Sequence, residues 1–201
     1  VEIRIADDGE IMARGDVVFP GYLKDPTATA ESLKDGWLAT GDIGATDADG
    51  FLTISDRKKN ILITAGGKNI TPSNVETEVK RDSLISYCHL HADRRPYPTA
   101  LVCLDPERLA AFASERALPA KTAGELKDHP ALVARVQEAV DAANERVARC
   151  EQIKRFSILP RELSIDGGEL TPTLKVKRRE VEAKYADVLE SMYAAPLLEG
   201  R

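Results

Sequence analysis

Between Thr40 and Ile70 the sequence crowds together three groups whose types suit chemistry: the acid of Thr40-Gly41-Asp42, the charged run Asp56-Arg57-Lys58-Lys59-Asn60, and the glycine pair of Ala65-Gly66-Gly67-Lys68. The aspartate supplies a carboxylate acceptor and the run supplies cationic donors. Glycine adopts backbone angles closed to other residues, so a Gly-Gly tip can approach a ligand closely. This density of acid, base and flexible backbone suggests a working site, and the polar run inside it reads as a domain joint. Each group also has a plainer reading. Asp42 alone is a turn aspartate, Arg57 a surface charge on a linker, Lys58 and Lys59 a solvated loop, and Gly66 with Gly67 an ordinary hairpin turn.

The elements that must position these groups differ on the two sides of the run. Val1 to Ile5 alternates apolar and polar residues, Asp8-Gly9 is a turn signal, and Glu10 to Arg14 resumes the alternation, which together predict a hairpin. Asp25-Pro26 opens a short helix, with the aspartate able to cap free amides and proline tolerated at the first position. Asp35-Gly36 stops it, and Trp37 to Ser55 returns to strands turning at Asp49-Gly50. Beyond the run, Ile61-Leu62-Ile63 and Asn69-Ile70 flank the glycines as a second hairpin. Thr71-Pro72 opens a helix in which Ser73 and Glu76 are spaced as an alternative capping box. Leu84 to Ala92 and Thr99 to Leu104 are predicted strands around the turn Asp93-Arg94-Arg95-Pro96, and Pro106 to Arg116 a short helix. From Pro130 to Arg149, Leu132, Val133, Val136, Val140, Ala143 and Val147 recur at helical spacing as one buried stripe. Ile153 to Leu159 is a strand, Ile165 to Glu169 a loop, and Val176 to Met192 a charged terminal helix. The fold class is α+β, with residues 1–55 β-rich, 56–61 a joint and 62–201 α+β.

Composition narrows the function classes. A chain of 201 residues with 43% hydrophobic and 30% charged residues is an ordinary globular mix. Its net charge of -5 lacks the concentrated basic surface of a nucleic-acid binder. Cys88, Cys103 and Cys150 have no metal-ligand spacing and read as core thiols of a reducing, cytoplasmic protein. No apolar run approaches the roughly 20 residues of a membrane-spanning helix, which leaves only peripheral membrane contact open. The chain begins on an alternating strand without a methionine and is expected to be a piece of something longer.

Four motifs in order carry a resemblance: Gly9-Glu10-Ile11 to Gly21-Tyr22; Gly36-Trp37-Leu38-Ala39-Thr40-Gly41-Asp42; the stretch from Asp56 to Pro72; and Leu170-Thr171-Pro172-Thr173-Leu174-Lys175-Val176-Lys177-Arg178. Together they resemble the C-terminal part of adenylate-forming acyl-CoA synthetases, most like bacterial long-chain fatty-acid-CoA ligases. The resemblance implies that residues 1–55 are the β-rich end of a large N-terminal AMP-binding domain, 56–61 a hinge, and 62–201 a small mobile lid domain. It implies an enzyme of fatty acid metabolism that joins fatty acid to CoA through acyl-AMP, with ATP, CoA and the fatty acid as partners alongside its own N-terminal domain.

Residue by residue, the resemblance makes Asp42 the acceptor for both ribose hydroxyls of ATP and Arg57 a donor near the same ribose. Asp56, Lys58 and Lys59 become the hinge that swings the small domain between an ATP-facing and a thiol-facing pose. Gly66 and Gly67 would line the channel for the pantetheine arm of CoA. Lys175 becomes the adenylation lysine, neutralising charge on the carboxylate and α-phosphate as pyrophosphate leaves. Lys177, Arg178 and Arg179 read as a solvated helix face, one of which could steer the phosphates of CoA. Asn60 stands where many relatives carry aspartate. The family's phosphate loop, its adenine-binding stretch with the Mg2+-holding glutamate, and its acyl tunnel are expected in the missing N-terminal part. No metal ligand is assigned here, and the isolated chain is expected to be inactive. Two alternatives stand beside this reading. One is an acyl-AMP ligase or other adenylating enzyme that does not use CoA, and the other a standalone, non-catalytic interaction domain.

Overall fold

A computed structural model describes residues 1–194, and the chain divides into two compact units, Val1–Ile61 and Leu62 onward. The first unit is built on an antiparallel sheet. Strands β1 (Glu2–Ile5) and β2 (Glu10–Arg14) form the expected hairpin, with Gly9 at φ +83° in its turn. Helix α1 (Pro26–Ser32) starts where Asp25 accepts a 2.9 Å bond from the Ala28 amide. Asp35-Gly36 does not end that helix directly. It turns β3 (Leu33–Lys34) back into β4 (Trp37–Thr46), against which β5 (Leu52–Arg57) also pairs. The sheet order is β1-β2-β4-β3, with β5 joined to β4. Gly44 sits at a register shift where any Cβ would collide with the Thr53 carbonyl and the Ile11 side chain, so the close approach of β5 to β4 requires glycine.

The charged run departs from the solvated linker expected of it. Asp56 and Arg57 are the last residues of β5, paired with Ile43 and Asp42, and Asp56 is buried. Only Lys58–Asn60 leaves the sheet, as a single 3-10 turn.

The second unit starts with the β6 (Leu62–Ile63) and β7 (Asn69–Ile70) hairpin, followed by α2 (Pro72–Val79). Strands β8 (Ile85–His91) and β9 (Thr99–Leu104) pair antiparallel. After α3 (Pro106–Glu115), α4 (Ala123–Leu126) and α5 (Pro130–Asn144), strand β10 (Arg155–Ile158) adds parallel to β9. Helices α6 (Arg178–Lys184) and α7 (Ala186–Ser191) close the described chain. Every residue of β9 is buried, and alternation splits them between two cores. Ala100, Val102 and Leu104 pack with Val75, Val79, Leu132, Val136 and Val140, while Leu101 and Cys103 pack with Leu159, Val181 and Leu189. The sheet therefore lies between two helical layers.

Several expectations are corrected. Helix α5 stops at Asn144, whose side-chain amide donates to the Ile153 carbonyl and accepts from the Ile153 amide, drawing the chain into a turn. Val133 is exposed, and Ala139 takes its place in the buried stripe. The terminal helix breaks in two at Tyr185, which packs against the second core. Cys150 is exposed, although Cys88 and Cys103 are core thiols whose pKa values burial raises. Glu76 forms no capping box, because its carboxylate is turned inward. Arg178 is no solvated helix residue: it is mostly buried against that carboxylate.

Candidate functional site

In the first unit, the Thr40-Gly41-Asp42 turn is fixed from both sides. The Thr40 hydroxyl donates to the Ile11 carbonyl at 2.7 Å and accepts from the Asp42 amide at 3.1 Å. Gly41, at φ +74°, donates its amide to Glu10 Oε1 at 2.9 Å. Asp42 and Arg57 stand opposite each other across β4 and β5, and Arg57 Nε donates to Asp42 Oδ1 at 2.9 Å. One carboxylate oxygen is thus committed to the arginine and the other is left to accept, an arrangement suited to a hydroxyl-bearing ligand. Arg57 and Lys59 also line a cavity of about 590 Å³ with Tyr22, Glu31, Thr40 and Gly41.

Asp56 accepts from the Arg57 amide at 2.6 Å and the Asn60 side chain at 3.0 Å, which shapes the 3-10 turn. Lys58 reaches back to Asp8 at 2.6 Å and Glu10 at 2.8 Å. The Lys58 hydrogen bond holds the Asp8 carboxyl below its ordinary pKa, and Asp8 and then Glu10 raise that of Lys58. Glu10 therefore joins the Gly41 turn to the charged run through one buried carboxylate. Lys59 is exposed.

In the second unit, Gly66 and Gly67 form the tip of the β6–β7 hairpin. Gly67 has φ +73°, and no atom lies within 4 Å of where its Cβ would be, so the space over the tip is open. The hairpin is braced by the loop after β8, since Ala65 donates to the Arg95 carbonyl at 2.9 Å and Arg94 to the Ile63 carbonyl at 2.7 Å.

Lys175 is exposed near the tip of a loop whose stem is the Leu170–Val176 bridge. Thr171 organises the tip: its amide donates to the Lys175 carbonyl at 2.8 Å and its hydroxyl accepts the Lys175 amide at 3.0 Å. Leu174 takes φ +60° to close the turn. The Lys175 ammonium has no partner among the described residues, whereas the residues below the tip are densely paired.

Sequence reasoning missed that support. Glu169, read as part of a loop, is fully buried. It accepts from Arg161 at 2.6 Å, Lys184 at 2.9 Å and the Ser164 amide at 3.1 Å. Burial opposes its charge, but the hydrogen bonds from Arg161, Lys184 and Ser164 outweigh it and hold the pKa at about 2. The available signal was the glycine before it, since a Cβ on Gly167 would overlap the Glu169 carboxylate. On the other stem, Arg178 donates to both oxygens of Glu76 and to the Leu90 carbonyl. Helix α6 is also tied to β8, where Glu182 meets buried His89 at 3.1 Å and His91 at 3.5 Å. Contacts with His89 and then His91 hold the Glu182 carboxyl well below its ordinary range, while burial lowers the pKa of His89.

Among the described residues no group of three or more His, Cys, Asp or Glu side chains could hold a metal ion, and no helix is long and apolar enough to cross a membrane. Residues 59–196 match the family model of the AMP-binding enzyme C-terminal domain. The chain is 47% identical over 195 residues to the long-chain-fatty-acid–CoA ligase FadD15 of Mycobacterium tuberculosis, covering 95% of this chain and 32% of that protein. It superposes on the adenylation domain of a carboxylate reductase from Mycobacterium chelonae with TM-score 0.75 and 25% identity, covering 93% of this chain and 28% of that one. The corresponding domain of the Segniliparus rugosus carboxylic acid reductase, in complex with AMP and a co-purified carboxylic acid, gives TM-score 0.75 and 27% identity over 92% of this chain and 28% of that one. The chain thus spans about a third of the length of the curated relatives it matches.

Proposed function

The chain belongs to the family of AMP-binding enzymes, whose C-terminal domain it carries, and on that premise we propose that it is the C-terminal section of an ATP-dependent long-chain fatty acid–CoA ligase. Such an enzyme works in two halves. The fatty acid carboxylate attacks the α-phosphate of ATP, forming acyl-AMP and releasing pyrophosphate, and the CoA thiol then displaces AMP to form the thioester. Residues 1–55 belong to the large domain, 56–61 to the hinge and 62–201 to the lid.

The observation that carries this reading is the unpaired ammonium of Lys175 on a firmly braced loop. A cation held without a partner of its own is preorganised for charge that develops during reaction, and such a donor is worth about 3 to 4 kcal/mol. Lys175 would stabilise the pentacovalent charge at the α-phosphate. Asp42 accepts from the ribose hydroxyls beside Arg57, and the open tip of Gly66 and Gly67 admits the pantetheine arm. Asp56, Lys58 and Lys59 form the hinge, whose turning presents Lys175 for the first half and the glycines for the second. Asp56 pairs with Ile43 in the sheet and Lys58 is bound to Asp8 and Glu10, so turning at this joint breaks the Lys58 contacts. A magnesium ion accompanying ATP would take its protein ligands from the N-terminal part of the enzyme.

Lys175→Ala in the intact ligase tests the reading. Acyl-AMP formation should fall a hundredfold or more, on the order of what loss of one charged donor costs, while thioester formation from supplied acyl-AMP survives. Equal slowing of both halves would make Lys175 a structural charge that holds its loop. Acyl-AMP formation without thioester on adding CoA would instead place the protein among adenylating enzymes that use another acceptor.

A further inference from the structure

We propose that Glu169 is the positioning residue for Lys175, a buried ionic anchor that holds the stem of the loop so that the ammonium meets the reacting phosphate in one place. The proposal rests on the adenylation role given to Lys175. Three observations carry it. Glu169 is the one fully buried carboxylate among the described residues, and its Oε1 accepts from cationic donors at separate places: Arg161 after β10 at 2.6 Å and Lys184 at the end of α6 at 2.9 Å. The Ser164 amide completes the set at 3.1 Å, and the Glu169 carbonyl accepts the Lys177 amide at 2.8 Å, so the same residue grips both strands of the loop stem. Gly167 leaves room for the carboxylate alone, because a Cβ there would lie on Glu169 Oε2 and within 2.8 Å of Arg161 Nη2 and Ser164 Oγ.

A structural ion pair could have been placed anywhere in the unit, but this one lies at the root of a loop whose tip is bonded chiefly within its own turn. Leu170, Thr171, Leu174 and Lys175 bond chiefly to one another or to Ser164. Their placement against the rest of the unit therefore runs through Glu169 on one stem, and through Val176, packed on the second core, and Arg178 on the other. Glu169 touches no substrate in this scheme; it acts through Lys175. A misplacement of about 1 Å can cost on the order of a hundredfold in rate, so loosening the anchor should be visible in one half-reaction.

The experiment uses Glu169→Gln and the milder Lys184→Met in the intact ligase, with each half-reaction measured alone. Lys184 is 41% exposed on its side chain, and after its loss Arg161 still pairs with Glu169, which guards against simple unfolding. Acyl-AMP formation should drop roughly ten- to a hundredfold in Glu169→Gln and several-fold in Lys184→Met, with transfer to CoA from supplied acyl-AMP unchanged. In a Lys175→Ala background neither change should add a further loss, because residues acting as a unit are not additive. Equal losses in both half-reactions, or full additivity with Lys175→Ala, would make Glu169 a purely structural group and overturn the proposal. Amide hydrogen exchange separates this from failure of the Lys175 reading. If Lys175→Ala leaves adenylation intact but Glu169→Gln speeds exchange at Leu170 to Lys175 and not in β9, the anchor stands and the catalytic assignment falls. Unchanged exchange at those amides would dispose of the anchor itself.

Discussion

Replacing Arg178 by Met keeps an unbranched apolar stem and removes the guanidinium that donates to Glu76 at 2.8 and 3.0 Å and to the Leu90 carbonyl at 3.0 Å. Glu76 would retain one neutral donor, the Leu90 amide at 2.8 Å. The two side chains are 22% and 10% exposed, so the pair is largely desolvated. Removing one partner of such a pair costs about 3 to 5 kcal/mol, and the remaining solvent access puts Arg178→Met near the lower end. At a urea m-value of about 2 kcal/mol per molar, a loss of about 3 kcal/mol moves the midpoint down by roughly 1.5 M. Glu76→Gln added to Arg178→Met removes the stranded charge as well, so the double variant should be more stable than Arg178→Met alone. Urea unfolding of the 201-residue chain followed by far-ultraviolet circular dichroism reads both values. A loss below about 1 kcal/mol for Arg178→Met, or a double variant as unstable as the sum of the singles, would refute the treatment of this pair as a buried strut. The strut matters for function because Glu76 lies on α2, directly after the glycine hairpin, while Arg178 follows Lys175. On the proposed reading, Arg178→Met in the full-length protein should, unlike Lys175→Ala, disturb both half-reactions.

Asp42→Asn should raise the KM for ATP about tenfold or more with a smaller effect on transfer from acyl-AMP, measured by pyrophosphate release; an unchanged KM would leave Asp42 a turn residue. Gly67→Val meets no atom but must hold φ +73°, costing on the order of 1 to 3 kcal/mol locally, and should block thioester formation while acyl-AMP still accumulates. Acid unfolding should report Glu169. Its folded pKa of about 2 lies below its ordinary value of 4.5, so the stabilisation is complete above about 4.5 and is lost as pH falls toward 2. With screening by the half-exposed Arg161 and Lys184 this amounts to roughly 1 to 2 kcal/mol, and Glu169→Gln should flatten the stability profile in that window.

What was legible in the sequence followed from local rules. Turn dipeptides at Asp8-Gly9 and Asp49-Gly50, the Asp25-Pro26 cap and the apolar run from Thr99 to Leu104 each specify an element within a few residues, and each element forms. The errors arose where a distant partner overrides local pattern. Val133 has helical spacing yet faces solvent, while Ala139 is chosen by what α5 packs against. No glycine or proline marks the break at Tyr185, which is drawn inward by the second core. Arg178 has the look of a solvated residue in a basic stretch, and only the approach of α2 and β8 makes it a buried one.

The same distinction runs through the candidate site. Residues that would face ligands are recognisable by type, because chemistry limits which side chains can serve: Asp42 as an acceptor, Lys175 as a cation, Gly67 as bare backbone. Their supports are chosen by fold geometry alone. Glu10 joins the Gly41 amide to Lys58 across 48 residues, and Glu76 joins Leu90 to Arg178 across 102 between Glu76 and Arg178. Each of these carboxylates satisfies a backbone amide, that of Gly41 or of Leu90, and leaving such a donor buried and unsatisfied costs about 1 to 3 kcal/mol. A glutamate that pairs across such distances has no local signature and looks, in sequence, like any surface acid. Glu169 is the intermediate case, because Gly167 records the space that its carboxylate needs. Buried carboxylates that accept from donors on two other segments are therefore where the unit spends desolvation energy to fix backbone, and the segments they fix carry Lys175 and follow Gly67.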